Sequence, residues 1–336
     1  MTDFDALVVG GGVAGCATAL ELLSVGWAVG LLHQPEHLPA IESISPAAAR
    51  YLETLSIQVG RDLSEVVAWW GSDRETHAIQ PGARIVERFT LADSLRGRAM
   101  ECGAVVIGGR RLLRIQRSRD AWQLECHPVC GDQPTLTAKY LIDATGRSSL
   151  IGRRLGAQRC AFDQVFCISV TILQPHLTGT WTESASDGWW NLCCLPEQGT
   201  LSFYSCARLI RESKTDVAAR LSDTRHLRHL LPHPMFGETK VRACSSSQLL
   251  PCAGPGWLSV GDAASTLQPL ASAGVSKALR DAHMVPQALE REPAQYDHFQ
   301  ATQSRVYLRQ LAQHYALEKR WLSTQFWAPL SRQNVV

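Results

Sequence analysis

The N-terminal stretch that ends at Gly15 constrains the fold of this chain more than any other feature. An apolar run, Leu7-Val8-Val9, leads directly into Gly10-x-Gly12-x-x-Gly15, and a helix-compatible run at 16–25 follows without a break. Gly10 permits a tight turn from strand to helix, Gly12 lets a pyrophosphate approach the backbone, and Gly15 lets the helix lie close to the strand. The alternative is a glycine-rich turn without a ligand, but the flanking strand and helix favour a dinucleotide-binding turn.

The next predicted strand, at 28–32, ends at a position that usually binds a ribose. In dinucleotide-binding folds an acidic residue stands there, about 20 residues after the last glycine of the turn. This chain has His33 and Gln34 instead. A neutral side chain still forms a hydrogen bond, but the charge-assisted bond of about 1.5–3 kcal/mol is missing. We therefore expect cofactor affinity to be roughly ten- to a hundredfold weaker than with a carboxylate, so that the cofactor is partly lost on purification.

Composition excludes several other classes of protein. The formal net charge of +2 is too small for a nucleic-acid-binding surface, and no apolar run reaches the roughly 18 residues of a membrane span. The chain has 11 cysteines, but it lacks a secretory apolar segment, and Cys126, Cys130, Cys193 and Cys194 lack partners at metal-ligand spacing. We expect reduced thiols, no metal, no nucleic acid, no membrane contact and a cytoplasmic location.

The order of patterns predicts a nucleotide-binding domain at 1–159 that resumes at 251–290. A helix is predicted at 88–102, followed by strands at 104–107, 111–116, 121–127 and 136–143. Residues 160–250 alternate apolar and polar side chains, which indicates an inserted antiparallel sheet facing the substrate. Its predicted strands include a hairpin of 189–195 with 200–206 and a strand at 240–249. Residues 291–336 form a third, helical region, whose aromatic residues we interpret as packing.

Two later motifs resemble further parts of a nucleotide site. A predicted strand ends in Asp143-Ala-Thr-Gly146-Arg-Ser, and another ends in Gly261-Asp262-Ala-Ala. The latter is followed by Pro269, Ser272 and Gly274, and then by a predicted helix at 275–289. A carboxylate at such a strand end can accept a hydrogen bond from a ribose or ribityl hydroxyl, and the helix N-terminus offers free N–H groups to an anionic ring. The alternative is an Asp that caps an ordinary loop.

The three motifs, in this order, resemble those of the FAD-dependent monooxygenases of the p-hydroxybenzoate hydroxylase type and the related flavin-dependent halogenases. The resemblance implies an α/β fold: a Rossmann-like FAD-binding domain of the glutathione reductase type, an inserted antiparallel β-sheet substrate domain and a helical C-terminal tail. It also implies a flavin C4a-hydroperoxide as oxidant, with NAD(P)H or a separate flavin reductase as electron donor. The implied FAD-binding residues are Gly10, Gly12, Val13, Ala14, Gly15, His33, Gln34, Glu42, Ser43, Gly146, Gly261, Asp262, Pro269, Ser272, Gly274 and Val275.

The halogenase branch fits the sequence poorly. Halogenases of this type use a lysine in the N-terminal half, a Trp-x-Trp-x-Ile-Pro segment and a Ser-Thr-Gly turn. Here the first lysine is Lys139, the corresponding strand reads Gly188-Trp-Trp-Asn-Leu, and the turn reads Ser272-Ala-Gly. We therefore do not expect halogenation.

A narrower resemblance is to the flavoproteins that mature cysteine tryptophylquinone amine oxidases by hydroxylating a tryptophan of a partner protein. It rests on short motifs: Glu42-Ser-Ile-x-Pro, Trp70-Gly-Ser72, Gly188-Trp-Trp190, Pro269-Leu-x-Ser-x-Gly and Glu318-x-Arg-Trp. The resemblance implies an amine oxidase precursor as the protein substrate. Gln268, in place of the Asp that often precedes this proline, departs from the pattern.

The substrate site is less well specified than the cofactor site. Trp70, Ser72 and Trp190 are candidates for a substrate pocket, although aromatic residues at strand positions can equally belong to the core. No residue is singled out as a general base. Two alternatives to a tryptophan hydroxylase remain: a flavoenzyme acting on a small aromatic or isoprenoid metabolite, and a non-catalytic chaperone with the flavoprotein fold. The sequence does not specify the oligomeric state.

Overall fold

The computed structural model describes residues 2–34, 40–63, 65–78, 80–109, 112–127, 135–212 and 217–331. Cys130, residue 111 and residues 332–336 of the predictions above lie outside these ranges. The strands are β1 Thr2–Val9, β2 Val29–His33, β3 Ile41–Ile44, β4 Arg61–Asp62, β5 Val66–Trp69, β6 Thr76–His77, β7 Arg84–Glu87, β8 Val105–Gly108, β9 Leu112–Ser118, β10 Ala121–Cys126, β11 Thr135–Asp143, β12 Gln158–Ala161, β13 Val165–Leu173, β14 Gly179–Ala185, β15 Gly188–Cys194, β16 Gln198–Cys206, β17 Met235–Ala243, β18 Ser247–Leu250, β19 Ala253–Gly254, β20 Trp257–Ser259 and β21 Ser265–Thr266. The helices are α1 Val13–Ser24, α2 Pro46–Thr54, α3 Arg88–Glu101, α4 Leu150–Arg154, α5 Ala207–Glu212, α6 Val217–Ser222, α7 Leu227–Leu230, α8 Gly274–Leu289, α9 Pro293–Tyr315 and α10 Trp327–Ser331.

A parallel sheet forms the centre of the first layer, in the order β20-β11-β1-β2-β8. Val9 pairs with both Leu32 and Asp143, and Asp143 pairs with Ser259, so four strands end at the same edge. The strands β9 and β10 form an antiparallel extension on the first half of β11. Parallel strands buried on both faces read as continuous apolar runs, as the N-terminal strand does. The predicted Rossmann-like domain is confirmed.

A second sheet of seven strands has the order β17-β13-β16-β15-β14-β5-β6. Adjacent strands in this sheet are antiparallel, except for β5 and β14, which run parallel with Trp69 opposite Glu183. The sheet therefore takes strands from 66–77 as well as from the predicted insertion at 160–250. This confirms the predicted antiparallel sheet and shows that the chain enters it before the insertion begins.

Two predicted elements differ from the structure. The single strand expected at 240–249 is two strands, because the Ser246 N–H turns to the carboxylate of Asp163 (3.0 Å) and β18 then pairs with β12 and β21. The helical tail is interrupted after Tyr315 by turns that precede α10. There the buried carboxylate of Glu318 accepts hydrogen bonds from the Gly71 N–H (3.0 Å) and from Ser184 (2.7 Å), and this fixes the tail to the second sheet.

A buried ion pair fixes α8 to the turn after β20. Lys277 and Asp281 are 3% and 0% exposed and pair with each other one helical turn apart. Lys277 also donates to the Gly261 carbonyl (2.8 Å), and Asp281 accepts from the Gly261 N–H (3.1 Å). Both polar backbone atoms of Gly261 are thus bound by one helix. Among the described residues, no helix has the length and hydropathy of a membrane span.

Replacing Lys277 by methionine should destabilise the protein by about 3 kcal/mol. Among the described residues, the substitution leaves the buried Asp281 only the partly exposed Arg280 as a cation partner (3.2 Å), and breaking a buried pair typically costs about 3–5 kcal/mol. Urea unfolding of Lys277→Met measures this loss. The control is Arg208→Met, which removes the exposed pair with Glu212 at the same helical spacing and should cost less than about 1 kcal/mol. Equal losses in the two variants would contradict the role assigned to the buried pair.

Candidate functional site

A cavity of about 530 Å³ opens at the edge where the parallel strands end. It lies between the turn after β1, the end of β2, the segment after β11, the start of α3 and the start of α8. Its lining residues are Val9, Gly10, Gly11, Gly12, Val13, Ala14, Leu32, His33, Gln34, Glu42, Arg88, Phe89, Ala92, Arg96, Leu112, Ala144, Thr145, Gly146, Ser148, Leu150, Arg154, Val260, Asp262, Gly274, Val275 and Ala278.

The glycine turn shows the close backbone approach that a dinucleotide site requires. Gly10 has φ +121°, and a Cβ there would lie 2.1 Å from the Ala144 carbonyl oxygen. A Cβ at Gly15 would lie 1.8 Å from the Gly10 oxygen, whereas a Cβ at Gly12 would meet only open space. Gly12 caps α1 without a side-chain hydrogen bond, so the first N–H groups of this helix are free to bind an anion. These features fit a pyrophosphate.

Among the described residues, the end of β2 up to Gln34 presents no carboxylate to the cavity. His33 and Gln34 both line it, and the His33 ring lies against Gly11, where a Cβ would be 2.3 Å from Nδ1. Arg96 and Arg154 also line the cavity and add positive charge to it. The geometry agrees with a ribose contact made by neutral side chains.

A buried carboxylate shapes the turn that follows β11. Asp143 accepts hydrogen bonds from the Thr145 N–H (3.0 Å), the Thr145 hydroxyl (2.6 Å) and the Gly152 N–H (2.9 Å). Burial raises the pKa of Asp143, and these donors oppose the rise. The resulting turn brings Thr145, Gly146 and Ser148 to the cavity wall. Sequence reasoning found Gly146 but gave Asp143 no structural role.

Asp262 reaches the cavity from the opposite side. Its carboxylate lies 3.6 Å from the Arg147 guanidinium and is partly exposed, so it retains acceptor capacity for a ligand hydroxyl. Gly274 and Val275 begin α8 beside it, and Ala273 caps this helix without a side-chain hydrogen bond. This part of the cavity thus combines a carboxylate with free N–H groups.

Sequence reasoning missed the partner of Glu42. Arg88 donates two hydrogen bonds to the Glu42 carboxylate, of 2.9 and 2.7 Å, and both residues line the cavity. This ion pair raises the pKa of Arg88, so the guanidinium stays charged. The only sequence signal was an arginine at the start of a predicted helix, and its meaning depends on the pairing of β3 with β7.

The remaining predicted cofactor residues support the wall without lining it. A Cβ at Gly15 would meet the Gly10 carbonyl oxygen, a Cβ at Gly261 would lie 2.6 Å from the Ala14 Cβ, and Pro269 lies in the loop that leads to α8. The Ser43 hydroxyl donates to the Ser272 hydroxyl (3.1 Å), which joins β3 to the same loop.

The three candidates for a substrate pocket are not brought together. Trp70 packs between Trp189 and Trp327, with ring centroids 6.3 and 5.5 Å away, and Ser72 is exposed. Trp190 lies on the other face of the seven-stranded sheet from Trp189 and lines a separate cavity of about 340 Å³. None of the three lines the cavity at the parallel strand ends.

Two named proteins are similar in sequence over most of the chain. No protein-family model matches the chain. LodB of Marinomonas mediterranea, which carries the name of an FAD-dependent oxidoreductase, is 27% identical over 97% of this chain and 96% of its own length. The menaquinone reductase of Mycobacterium tuberculosis is 24% identical over 85% of this chain and 76% of its own length.

Comparisons in structure extend over almost the whole chain. The myxobacterial chondrochloren halogenase CndH, an FAD-dependent halogenase, superposes with a TM-score of 0.86 at 19% identity, covering 98% of this chain and 86% of its own. QhpG, a peptidyl tryptophan dihydroxylase essential for tryptophylquinone cofactor biogenesis, superposes with a TM-score of 0.76 at 22% identity, covering 98% and 79%. The chain therefore has the fold of the FAD-dependent hydroxylases and halogenases of the p-hydroxybenzoate hydroxylase superfamily, as its three motifs predict.

Proposed function

We propose that this protein is an FAD-dependent monooxygenase that hydroxylates a tryptophan side chain of a partner protein, an amine oxidase precursor, during tryptophylquinone cofactor biogenesis. The observation that carries the proposal is a polar, aromatic face of the seven-stranded sheet that contacts β3, the strand from which Glu42 lines the candidate cofactor cavity. The fold shared with QhpG supports the same function.

The cavity fits FAD in an extended form. The N-terminus of α1 would bind the pyrophosphate, His33 and Gln34 the adenosine ribose, and Asp262 a ribityl hydroxyl. The N-terminus of α8 would face the flavin ring. Bound FAD supplies the redox chemistry: once reduced, it activates molecular oxygen for transfer to the substrate. NAD(P)H or a separate flavin reductase would supply the electrons.

The orientation of the sheet follows from its contact with β3. The Ile41 N–H donates to the Thr200 hydroxyl (2.8 Å), so this face of β16 lies against the strand that carries Glu42. In β16 and β15, alternate residues share a face, and Thr200 pairs with Cys193 and Tyr204 with Trp189. Trp189, Tyr204 and their polar neighbours therefore lie on the face of the sheet that contacts β3, where Tyr315 of α9 also meets Trp189.

This face can orient an aromatic ring. Asn191 donates to the hydroxyls of Thr180 (3.3 Å) and Thr182 (3.2 Å), which forms a hydrogen-bonded polar surface. Beside it, Trp189 and Tyr204 stack with their centroids 3.9 Å apart. Indole is electron-rich and needs no general base for electrophilic oxygen transfer, so the protein's contribution would be position and exclusion of water.

One observation favours a second candidate function. The similarity to a menaquinone reductase covers 85% of this chain, so a small isoprenoid or aromatic substrate is the alternative. A small substrate should accelerate NAD(P)H oxidation by the purified protein alone, whereas a protein substrate has to be added.

Replacing His33 by glutamate should tighten FAD binding by roughly ten- to a hundredfold, because a carboxylate restores the charge-assisted bond to the ribose. Anaerobic titration of FAD, followed through its fluorescence, measures the dissociation constants. The control is Val25→Glu, which adds the same charge at an exposed position beyond the end of α1. Unchanged or weaker binding by His33→Glu would show that the ribose is not bound at this position.

Incubation with FAD, NADH, a flavin reductase, oxygen and an amine oxidase precursor should add oxygen to a tryptophan of the precursor. Peptide mass spectrometry detects the added atoms. Asp262→Ala should abolish most of the product by weakening FAD binding roughly ten- to a hundredfold, whereas Asp120→Ala, at an exposed turn, should not. If Asp262→Ala added no oxygen to the precursor but still supported its folding, the protein would act as a chaperone. Oxidation of NADH stimulated only by a quinone would indicate the second candidate function.

A further inference from the structure

The hydroxyl of Tyr315 joins three parts of the structure. It donates to the Gln268 side-chain oxygen (2.6 Å) and accepts a hydrogen bond from Trp189 Nε1 (3.2 Å). All three residues are buried, and they belong to α9, to the loop before α8 and to the seven-stranded sheet. A buried phenol hydroxyl needs one hydrogen-bond partner to offset the loss of water. The Tyr315 hydroxyl has two, and the second connects a further part of the structure.

Gln268 is the point where this connection reaches the candidate cofactor site. Its backbone carbonyl accepts from the Tyr307 hydroxyl (2.8 Å), so two tyrosines of α9 hold one residue. The loop that follows contains Pro269 and Ser272 and ends at Gly274, which lines the cavity. The position of Gln268 therefore sets where α8 presents its N-terminus.

The side chain at 268 also explains a departure from the superfamily pattern. The Gln268 amide lowers the pKa of the nearby Asp163 carboxyl, which burial raises, although within the described part of the chain the amide nitrogen has no partner at hydrogen-bond distance. A glutamine offers an oxygen to Tyr315 and an N–H group toward Asp163. An aspartate at 268 would instead bring a second buried carboxylate next to Asp163, which is unfavourable. The glutamine thus suits the pair of neighbours that it has here.

Trp189 is the point where the connection reaches the sheet. Its ring stacks on Tyr204, on the face that the proposed function assigns to the substrate. We propose that Tyr315 is a positioning residue that ties this aromatic surface to the loop at 268–273, so that sheet and cofactor loop hold one relative position. This inference rests on the proposed function for the assignment of the two surfaces to substrate and cofactor. The hydrogen bonds of Tyr315 that connect the surfaces do not depend on that assignment.

Tyr315→Phe tests the tie, since it removes one oxygen and keeps the ring. The matched control is Tyr296→Phe on the same helix, where the buried hydroxyl donates to the Ser259 carbonyl (2.9 Å). Hydrogen exchange of the amides at 266–274, without FAD, should be faster in Tyr315→Phe than in Tyr296→Phe at equal overall stability. FAD binding should weaken by roughly two- to tenfold in Tyr315→Phe, with a changed flavin absorption spectrum, and should stay unchanged in the control.

Trp189→Phe tests the other half of the tie, because it keeps a ring against Tyr204 and removes the N–H donor. If the connection runs through the Tyr315 hydroxyl, the amide hydrogens at 266–274 should exchange no faster in the double variant Trp189→Phe/Tyr315→Phe than in Tyr315→Phe alone. Equal exchange in Tyr315→Phe and Tyr296→Phe, or additive effects in the double variant, would overturn the inference. If wild-type protein binds no FAD, the proposed function fails while the exchange measurement still decides the tie.

Discussion

The candidate site depends on the close approach of three backbone segments at the edge of the parallel sheet. Gly10 and Gly15 leave no room for a Cβ, because the Ala144 carbonyl lies against the first and the Gly10 carbonyl against the second. This packing brings the N-terminus of α1 next to the end of β11. Asp143 then fixes the following turn, and the cavity forms between them. A larger side chain at either glycine would separate the helix from the sheet and remove the anion-binding N–H groups.

The sequence predicts the local segments of the site well. The glycine turn and the start of α8 are short segments, and parallel strands bring their carboxyl ends to one edge. The sequence does not predict the contacts of a side chain that acts on a distant segment. Glu42 and Arg88 meet because β3 pairs with β7, and Lys277 and Asp281 matter because they bind the backbone of Gly261. Glu42 and Arg88 have no spacing that identifies them as a pair, and the i,i+4 spacing of Lys277 and Asp281 does not identify Gly261 as their common partner.

The substrate-facing surface shows a second reason for incomplete prediction. Alternation along β15 assigns Trp189 and Trp190 to opposite faces, but it does not say which face meets the cofactor domain. That choice follows from the contact between Ile41 and Thr200, far apart in the sequence. The C-terminal tail is a similar case. Its aromatic residues pack as expected, yet Tyr315 also joins the sheet to the loop before α8.

The buried charges beneath the site bear on whether this fold binds a cofactor or only a partner protein. Burying Lys277 and Asp281 carries a desolvation penalty, and apolar residues of similar volume are often as stable or more so. For a docking protein, this arrangement around Gly261 brings no benefit. For a flavoprotein it does, because it fixes the turn from which Asp262 would meet the ribityl chain. The desolvation penalty of Lys277 and Asp281 therefore has a physical reason if the turn holds a ligand. The structure thus favours a flavin-binding enzyme over a chaperone that retains only the fold.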